Sequence, residues 1–339
     1  MRFGLIGYGL WGIHHAQAIR KAPGAELACI ACASAATAAK AKQDFPDVPV
    51  VVGYRDLLGR KDIDAVDIVV QNHLHAEIGI AALEAGKDVL LEKPMAATVE
   101  DCDRLIAAAK RAGRVLSIGH EFRLSTQWGQ LKTIVGKGEL GKPMYAMVSL
   151  FRFPYRPGSG GWRYANDRVC SWILEEPVHF FDALLWYFEA EGDPVSLLAV
   201  GNSKGRAPGM SDNFSTILRW NGELYAVITQ TLAGFEHHHV MEIVGTEGSL
   251  RTWWSGSMDR SRHATFELKV QRRGQAQCET IQIDQSGELF ELEDELARIV
   301  TAFGERRPIV SGEEARKRIL ICLEAERSLR EGREVSLAF

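Results

Sequence analysis

Along the first 120 residues, short apolar runs alternate with segments whose apolar positions recur at helical spacing. Residues 3–6, 27–31, 50–52, 65–70, 88–91 and 115–118 read as strands. Residues 13–21, 35–43, 76–85 and 99–112 read as helices, the third ended by Gly86. Parallel strands need crossover connections, which are right-handed and cover both sheet faces. The pattern therefore predicts an α/β unit, a doubly wound parallel sheet. A single acid, Asp67, interrupts the otherwise apolar run 65–70.

The grammar changes near residue 122. Residues 144–153 read as a strand, 154–161 as a Gly/Pro/Tyr-rich loop and 172–187 as a helix. Strands then dominate, at 197–200, 213–220, 224–231, 240–244, 248–252 and 264–270, with a turn signal at Asn221-Gly222. Two helices, 289–303 and 312–329, close the chain. This predicts a C-terminal α+β domain built on an open, largely antiparallel sheet. The expected division is 1–122 and 123–339. Alternation in 217–220 and 224–228 leaves apolar residues on both sheet faces. An exposed apolar sheet face is an association surface, so a homodimer or homotetramer packed through this sheet is expected.

Composition narrows the function classes. The 339 residues are about twice the length of one domain, and 46% apolar with 25% charged is ordinary for a globular chain. Forty basic against forty-four acidic residues give a net charge of −4, with no run of five like charges. Binding of nucleic acid by bulk charge is not expected. No apolar run reaches the ~18 residues of a membrane span. The N-terminus leads straight into a strand rather than a signal peptide, so a cytoplasmic location with no membrane partner is expected. Cys29 and Cys32 have C-x-x-C spacing, but residues three apart on a strand face opposite sides. With no second pair, they read as buried thiols, and six reduced thiols fit a cytoplasm.

Gly7-Tyr8-Gly9-Leu10-Trp11-Gly12 follows the first strand and opens the first helix. In that context G-x-G-x-x-G binds a dinucleotide: Gly7 permits the turn, Gly9 lets the backbone approach the pyrophosphate, and Gly12 allows close packing. The helix N-terminus adds N–H donors and a positive dipole end. An acid that would bind the ribose of NAD is missing from the end of the second strand, where Ser34 and Thr37 stand instead, with Lys40 one turn on. Nothing there repels a 2′-phosphate, so the expected cofactor is NAD(P), leaning to NADP. The same hydroxyls equally suit the N-cap of the next helix.

Glu92-Lys93-Pro94 ends the strand that begins near Asp88, and ligands of open α/β sheets sit outside the carboxyl ends of strands. With Gly7–Gly12 and Asn72-His73-Leu74-His75, this segment resembles the glucose–fructose oxidoreductase / inositol dehydrogenase / rhizopine-catabolism (Gfo/Idh/MocA) family. The resemblance extends over essentially the whole chain, through Trp162-Arg163, the segment 175–182, the segment 242–248 and the closing helices. It implies a Rossmann N-terminal domain, catalysis by Lys93, and an acid four residues before a histidine, here Glu175 and His179. Together with the reading of the residues themselves, the expected cofactor residues are Gly7, Tyr8, Gly9, Leu10, Trp11, Gly12, Ser34, Thr37, Asn72, His75, Glu92 and Lys93. The expected substrate residues are Lys93, Arg123, Trp162, Arg163, Trp172, Glu175 and His179. The sequence departs from the family in having Glu175 for an aspartate, Cys170-Ser171-Trp172 for glycines, and Val70-Gln71 for Thr-Pro.

The implied chemistry suits these side chains. A neutral histidine can accept a hydroxyl proton as hydride leaves the same carbon, and a lysine ammonium stabilises the developing alkoxide. Glu175, one helical turn before His179, is expected to share its helix face and to bind a substrate hydroxyl or orient the imidazole. Asp182 and Glu176 read as surface or capping groups. In His237-His238-His239, only His237 and His239 share a strand face, and no neighbouring cysteine or carboxylate completes a site, so no metal is expected, and substrate-pocket lining and surface or core packing stay open. Trp128, Phe151, Phe153, Tyr155, Trp162, Trp172, Phe235, Trp253 and Trp254 offer apolar platforms for a sugar ring or core packing. Arg123, Arg152, Arg156 and Arg163 could steer an acidic substrate or pair with carboxylates. The expected activity is an NAD(P)-dependent oxidoreductase acting on a secondary alcohol of a sugar, sugar derivative or cyclitol. Two alternatives from the family stay open: an NAD-dependent glycosidase with transient oxidation, and a non-catalytic cofactor-sensing regulator.

Overall fold

The computed structural model describes residues 1–232 and 234–339. The chain divides into two compact units: 1–120 with 167–170 and 292–319, and 121–166 with 171–291 and 320–339. This differs from a contiguous division at residue 122. Periodicity along 289–303 reveals a helix but not the sheet it packs against. Leu292, Leu296, Ile299 and Phe303 join Phe3, Leu5, Ile19 and Ile30 in the core of the first unit. The Phe303 ring stacks on Phe3 with centroids 6.5 Å apart.

In the first unit, β1 (Arg2–Ile6), β2 (Glu26–Cys32), β3 (Val50–Val52), β4 (Ala65–Ile68), β5 (Asp88–Glu92) and β6 (Leu116–Gly119) form a parallel sheet. Its order is β3-β2-β1-β4-β5-β6. The sheet is doubly wound, as expected, and strands buried on both faces explain why they read as nearly unbroken apolar runs. The order reverses between β1 and β4, the switch point where such sheets bind ligands. Helices occupy Gly12–Lys21, Ala35–Asp44, Tyr54–Leu58, His75–Glu84 and Val99–Ala112. The third, five residues long, is too short to show a period in sequence. The last is capped by Thr98, whose hydroxyl accepts the Asp101 N–H at 3.1 Å, and ends at Gly113 with φ 60°.

The second unit carries β7 (Pro143–Phe151), β8 (Ser196–Asn202), β9 (Asn213–Arg219), β10 (Tyr225–Thr231), β11 (His237–Gly245), β12 (Gly248–Gly256), β13 (Thr265–Arg272), β14 (Glu279–Ile281) and β15 (Val335–Ser336). Their order is β14-β13-β12-β11-β7-β10-β9-β8-β15. All neighbours pair antiparallel except β7 and β10, which are parallel. The two outermost strands, β14 and β15, are too short to read from sequence. The helix Thr126–Gly136, also unexpected, is capped by Ser125.

The expected helix 172–187 is two helices, Trp172–Glu175 and Pro177–Tyr187, broken at Glu176 with φ −135° and ψ −45°. The proline ring disfavours helical backbone in the residue before it, and Pro177 lacks the N–H that would continue the ladder. As N1 of the second helix it is well placed. Among the described residues, no helix is long and apolar enough to cross a membrane.

Candidate functional site

The three glycines of the first turn do three different things. Gly7 has φ 107°, and a Cβ there would lie 2.0 Å from the Val69 carbonyl oxygen. A Cβ on Gly12 would lie 2.1 Å from the Gly7 carbonyl oxygen, so helix and turn approach too closely for a side chain. A Cβ on Gly9 would meet nothing within 4 Å. The space over Gly9 is thus open, beside the N-terminus of the Gly12–Lys21 helix. That is the geometry a pyrophosphate requires, so these residues fit a dinucleotide.

Directly behind the turn lies a buried ionic cluster. His15 Nδ1 is 2.7 Å from Asp67 Oδ2, and its Nε2 is 3.1 Å from Glu92 Oε1. All three side chains are buried. Burial alone would push the imidazole down, but Asp67 and Glu92 outweigh it and raise His15 to about 10. Glu92 is buried as well, yet His15, Lys93 and the Trp11 indole hold it at about 2. Trp11 Nε1 donates to Glu92 Oε1 at 3.0 Å, and the Lys93 backbone N–H donates to Oε2 at 3.2 Å. The glycine turn is therefore tied through Trp11 and His15 to the residue that precedes Lys93. Sequence reading missed His15 and Asp67; the signal was the lone acid in a buried strand, which requires a partner.

Other residues expected at the cofactor are engaged within the fold. Ser34 and Thr37 form a reciprocal capping box: the Thr37 N–H donates to Ser34 Oγ at 3.2 Å, and the Ser34 N–H donates to Thr37 Oγ1 at 3.3 Å. Asn72 Nδ2 donates to the Val169 carbonyl at 3.0 Å. His75 is fully buried, with Nδ1 2.6 Å from the Pro94 carbonyl oxygen and Nε2 3.2 Å from that of Val70. It braces the loop after Lys93. Tyr8 is buried and donates to Asp44 at 2.7 Å, whereas Leu10 is exposed.

In the second unit, the break at Glu176 overturns the expectation that Glu175 and His179 share one helix face. Glu175 pairs instead with Arg163. His179 is buried, stacks on Phe122 with centroids 4.7 Å apart, and has Nε2 3.8 Å from Glu121 Oε1. Arg123 grips Asp182 with two hydrogen bonds, Nε to Oδ2 at 2.8 Å and Nη2 to Oδ1 at 2.6 Å. Trp172 is 1% exposed, packs against Tyr155 and Tyr164, and donates to the Arg163 carbonyl at 2.8 Å. It packs as a core residue. Trp162 is also buried, beneath the Arg163 guanidinium. Glu176 and Asp182, read from sequence as surface or capping groups, are buried at 6% and 1% exposure. Phe235, by contrast, is exposed.

Glu176 lies at His237 and His239. Its Oε1 is 3.1 Å from His237 Nε2 and 3.8 Å from His239 Nε2, and the two Nε2 atoms are 2.6 Å apart. Arg152 pairs with Oε2 of the same carboxylate. Burial, then the Arg152 charge, pushes His237 down to about 3; burial and His237 hold His239 well below its ordinary value. The fold thus supplies the carboxylate that the sequence did not place beside these histidines.

A family model described as "Oxidoreductase family, NAD-binding Rossmann fold" matches residues 1–120, and one described as "GFO/IDH/MocA C-terminal domain" matches residues 128–251. A 1,5-anhydro-D-fructose reductase of Ensifer adhaerens is 31% identical over 252 residues, 74% of each chain. An inositol 2-dehydrogenase of Acidothermus cellulolyticus is 28% identical over 253 residues, 74% of this chain and 72% of its own. Among solved structures, a levoglucosan dehydrogenase in complex with NADH and L-sorbose superposes with a TM-score of 0.85 at 23% identity, over 100% of this chain and 99% of that one.

Two outcomes test this geometry. Gly9→Ala should leave the melting temperature nearly unchanged and weaken dinucleotide binding, whereas Gly12→Ala should lower both, because only the latter forces backbone apart. Calorimetry and a cofactor titration on the two variants check it. His15→Ala should cost about 3–5 kcal/mol, since it leaves two buried carboxylates unpaired. His15 has a raised folded pKa, so its contribution is complete below the unfolded value near ~6.5 and fades as pH rises towards about 10. The stability gap between wild type and variant, followed by denaturant unfolding, should narrow over that window.

Proposed function

Because this chain belongs to the Gfo/Idh/MocA family of oxidoreductases, with its NAD-binding Rossmann domain, we propose that it moves a hydride between a secondary alcohol of a sugar, sugar derivative or cyclitol and the nicotinamide of NAD(P). The observation that carries this reading is the tie between the glycine turn and Lys93 through Trp11, Glu92 and His15. The relatives' names, 1,5-anhydro-D-fructose reductase and inositol 2-dehydrogenase, support the polyol class.

When bound, a nicotinamide would supply the hydride acceptor for oxidation and the hydride donor for reduction. The chain's own residues do the rest. The Lys93 ammonium stabilises charge on the reacting oxygen, and His179 accepts the hydroxyl proton. Phe122 holds the His179 ring by stacking, with Glu121 beside Nε2. Arg163 holds Glu175, which supports a substrate-binding role for that acid rather than orientation of His179. NADP is the preferred form, a reading supported by the end of β2, Cys32-Ala33-Ser34, which carries no acid. The buried thiols of Cys29 and Cys32 support a reducing, cytoplasmic location.

A panel of sugars and cyclitols with NAD and NADP, followed by reduced-nicotinamide absorbance, tests the activity. At least one polyol should turn over, with kcat/KM higher for NADP. Lys93→Ala should lower kcat roughly 10²–10⁴-fold while dinucleotide binding persists. His179→Ala should remove the acid limb of the rate profile. Full activity in Lys93→Ala would sink the mechanism.

We further propose self-association through the open face of the second sheet. Leu198, Ile217, Val227 and Met147 are cross-strand neighbours on β8, β9, β10 and β7, half-buried while alternate residues are fully buried. Such an apolar stripe fits a second copy of the same face. Val227→Lys should turn a dimer or tetramer into a smaller species by light scattering. A wild-type monomer at micromolar concentration would refute the assembly.

A further inference from the structure

We infer that Glu176, His237 and His239 form a binding site for a divalent transition-metal ion of the zinc, cobalt or nickel type, with a donor set that includes neither Lys93 nor His179. Three donor atoms, Glu176 Oε1 and the Nε2 atoms of His237 and His239, lie within 4.8 Å of one another. They come from two elements, the break before Pro177 and one face of β11. Each side chain is more than nine-tenths buried. Ligands held ~2.0–2.2 Å from a tetrahedral ion sit roughly 3.4 Å apart. The observed separations of 2.6, 3.1 and 3.8 Å straddle that value, so the three donors reach it by side-chain shifts of under about 1 Å.

Beyond the donors, neighbouring groups aim and brace the ligands. Arg152 engages Oε2 of Glu176, so Oε1, which has no hydrogen-bond partner, is left turned to the imidazoles. An outer-shell partner on the second carboxylate oxygen is the usual way such a ligand is aimed. Rings brace the imidazoles: Trp254 lies 5.7 Å from His237 and 5.6 Å from His239, and Phe180 meets His239 edge-on at 5.2 Å. A small cavity bordered by His239, Trp254, Asp259 and Glu291 adjoins the donor set at His239. Two imidazoles and one carboxylate are borderline ligands, which select Zn²⁺, Co²⁺ or Ni²⁺ over the all-oxygen preference of Mg²⁺ and Ca²⁺. One protein donor more than a bidentate pair, and one fewer than a closed structural site, leaves a position for water or a substrate oxygen.

The test uses the full chain, stripped with a chelator and titrated with Co²⁺ and then Zn²⁺ alone. One ion per chain is expected, with cobalt visible absorption characteristic of nitrogen ligands and, for zinc, an X-ray absorption spectrum showing two imidazoles. His237→Ala, His239→Ala and Glu176→Gln should each weaken binding by about 10²-fold or more. His238→Ala, on the opposite face of the same strand, should bind as wild type does. Circular dichroism and dinucleotide titration identify any variant that fails to fold. In that event the wild-type zinc spectrum decides alone. Binding of far less than one ion per chain, a shell of oxygens only, or equal loss in His238→Ala would overturn the site. Because every readout is metal binding, failure here leaves the oxidoreductase reading untouched.

Discussion

The first unit depends on one buried contact set, the His15 imidazolium between Asp67 and Glu92. It joins three elements that parallel pairing alone would leave free to slide: the helix after the glycine turn, the strand β4 and the end of β5. Two buried carboxylates could not stay ionised without a partner, and a neutral imidazole could not satisfy both. Once the cation is in place, Glu92 is fixed by Trp11 and His15, and its second oxygen fixes the Lys93 backbone. Lys93 is thereby positioned by the same turn that leaves open space over Gly9. Glu295 belongs to the same electrostatic neighbourhood: burial drives it well above the usual carboxylate range, and Glu92 adds to the effect.

In the second unit, the governing constraint is covalent rather than electrostatic. Pro177 breaks the helix at Glu176, and the break sorts three neighbouring functional groups into three environments. Glu175 goes to Arg163, Glu176 to the β11 histidines, and His179 to Phe122 and Glu121. An unbroken helix would have stacked Glu175 over His179 and left Glu176 on another face.

Much of this was legible in the sequence, and the gaps share a cause. The six parallel strands, the glycine turn with its three separate roles and the alternation of β11 followed from period and local chemistry, which act over a few residues. The return of 292–304 to the first core, the partner of Asp67 and the carboxylate at His237 and His239 are long-range pairings that no local period encodes. The Glu176 break was local and readable: a proline five residues after the start of an expected helix is a stop signal. The pull of the family pattern, an acid four before a histidine, obscured it. Trp172 packs in the core at 1% exposure, a burial that its place in the sequence does not encode.

The two histidine clusters show how one side chain takes opposite charge states in equally dry surroundings. At His15, burial disfavours the cation, but two carboxylates lie within 3.1 Å, and their attraction exceeds the desolvation cost. At His237 and His239 the carboxylate of Glu176 is already matched by Arg152, and that same guanidinium adds to the burial penalty. The imidazoles therefore stay neutral. A charged imidazole has two N–H donors and no lone pair, so it anchors carboxylates and can do little else. A neutral one keeps a lone pair, which is what a proton, a hydroxyl or a metal ion requires. The first cluster is thus committed to holding Lys93 in place, while the second retains the electron pairs from which chemistry can be built.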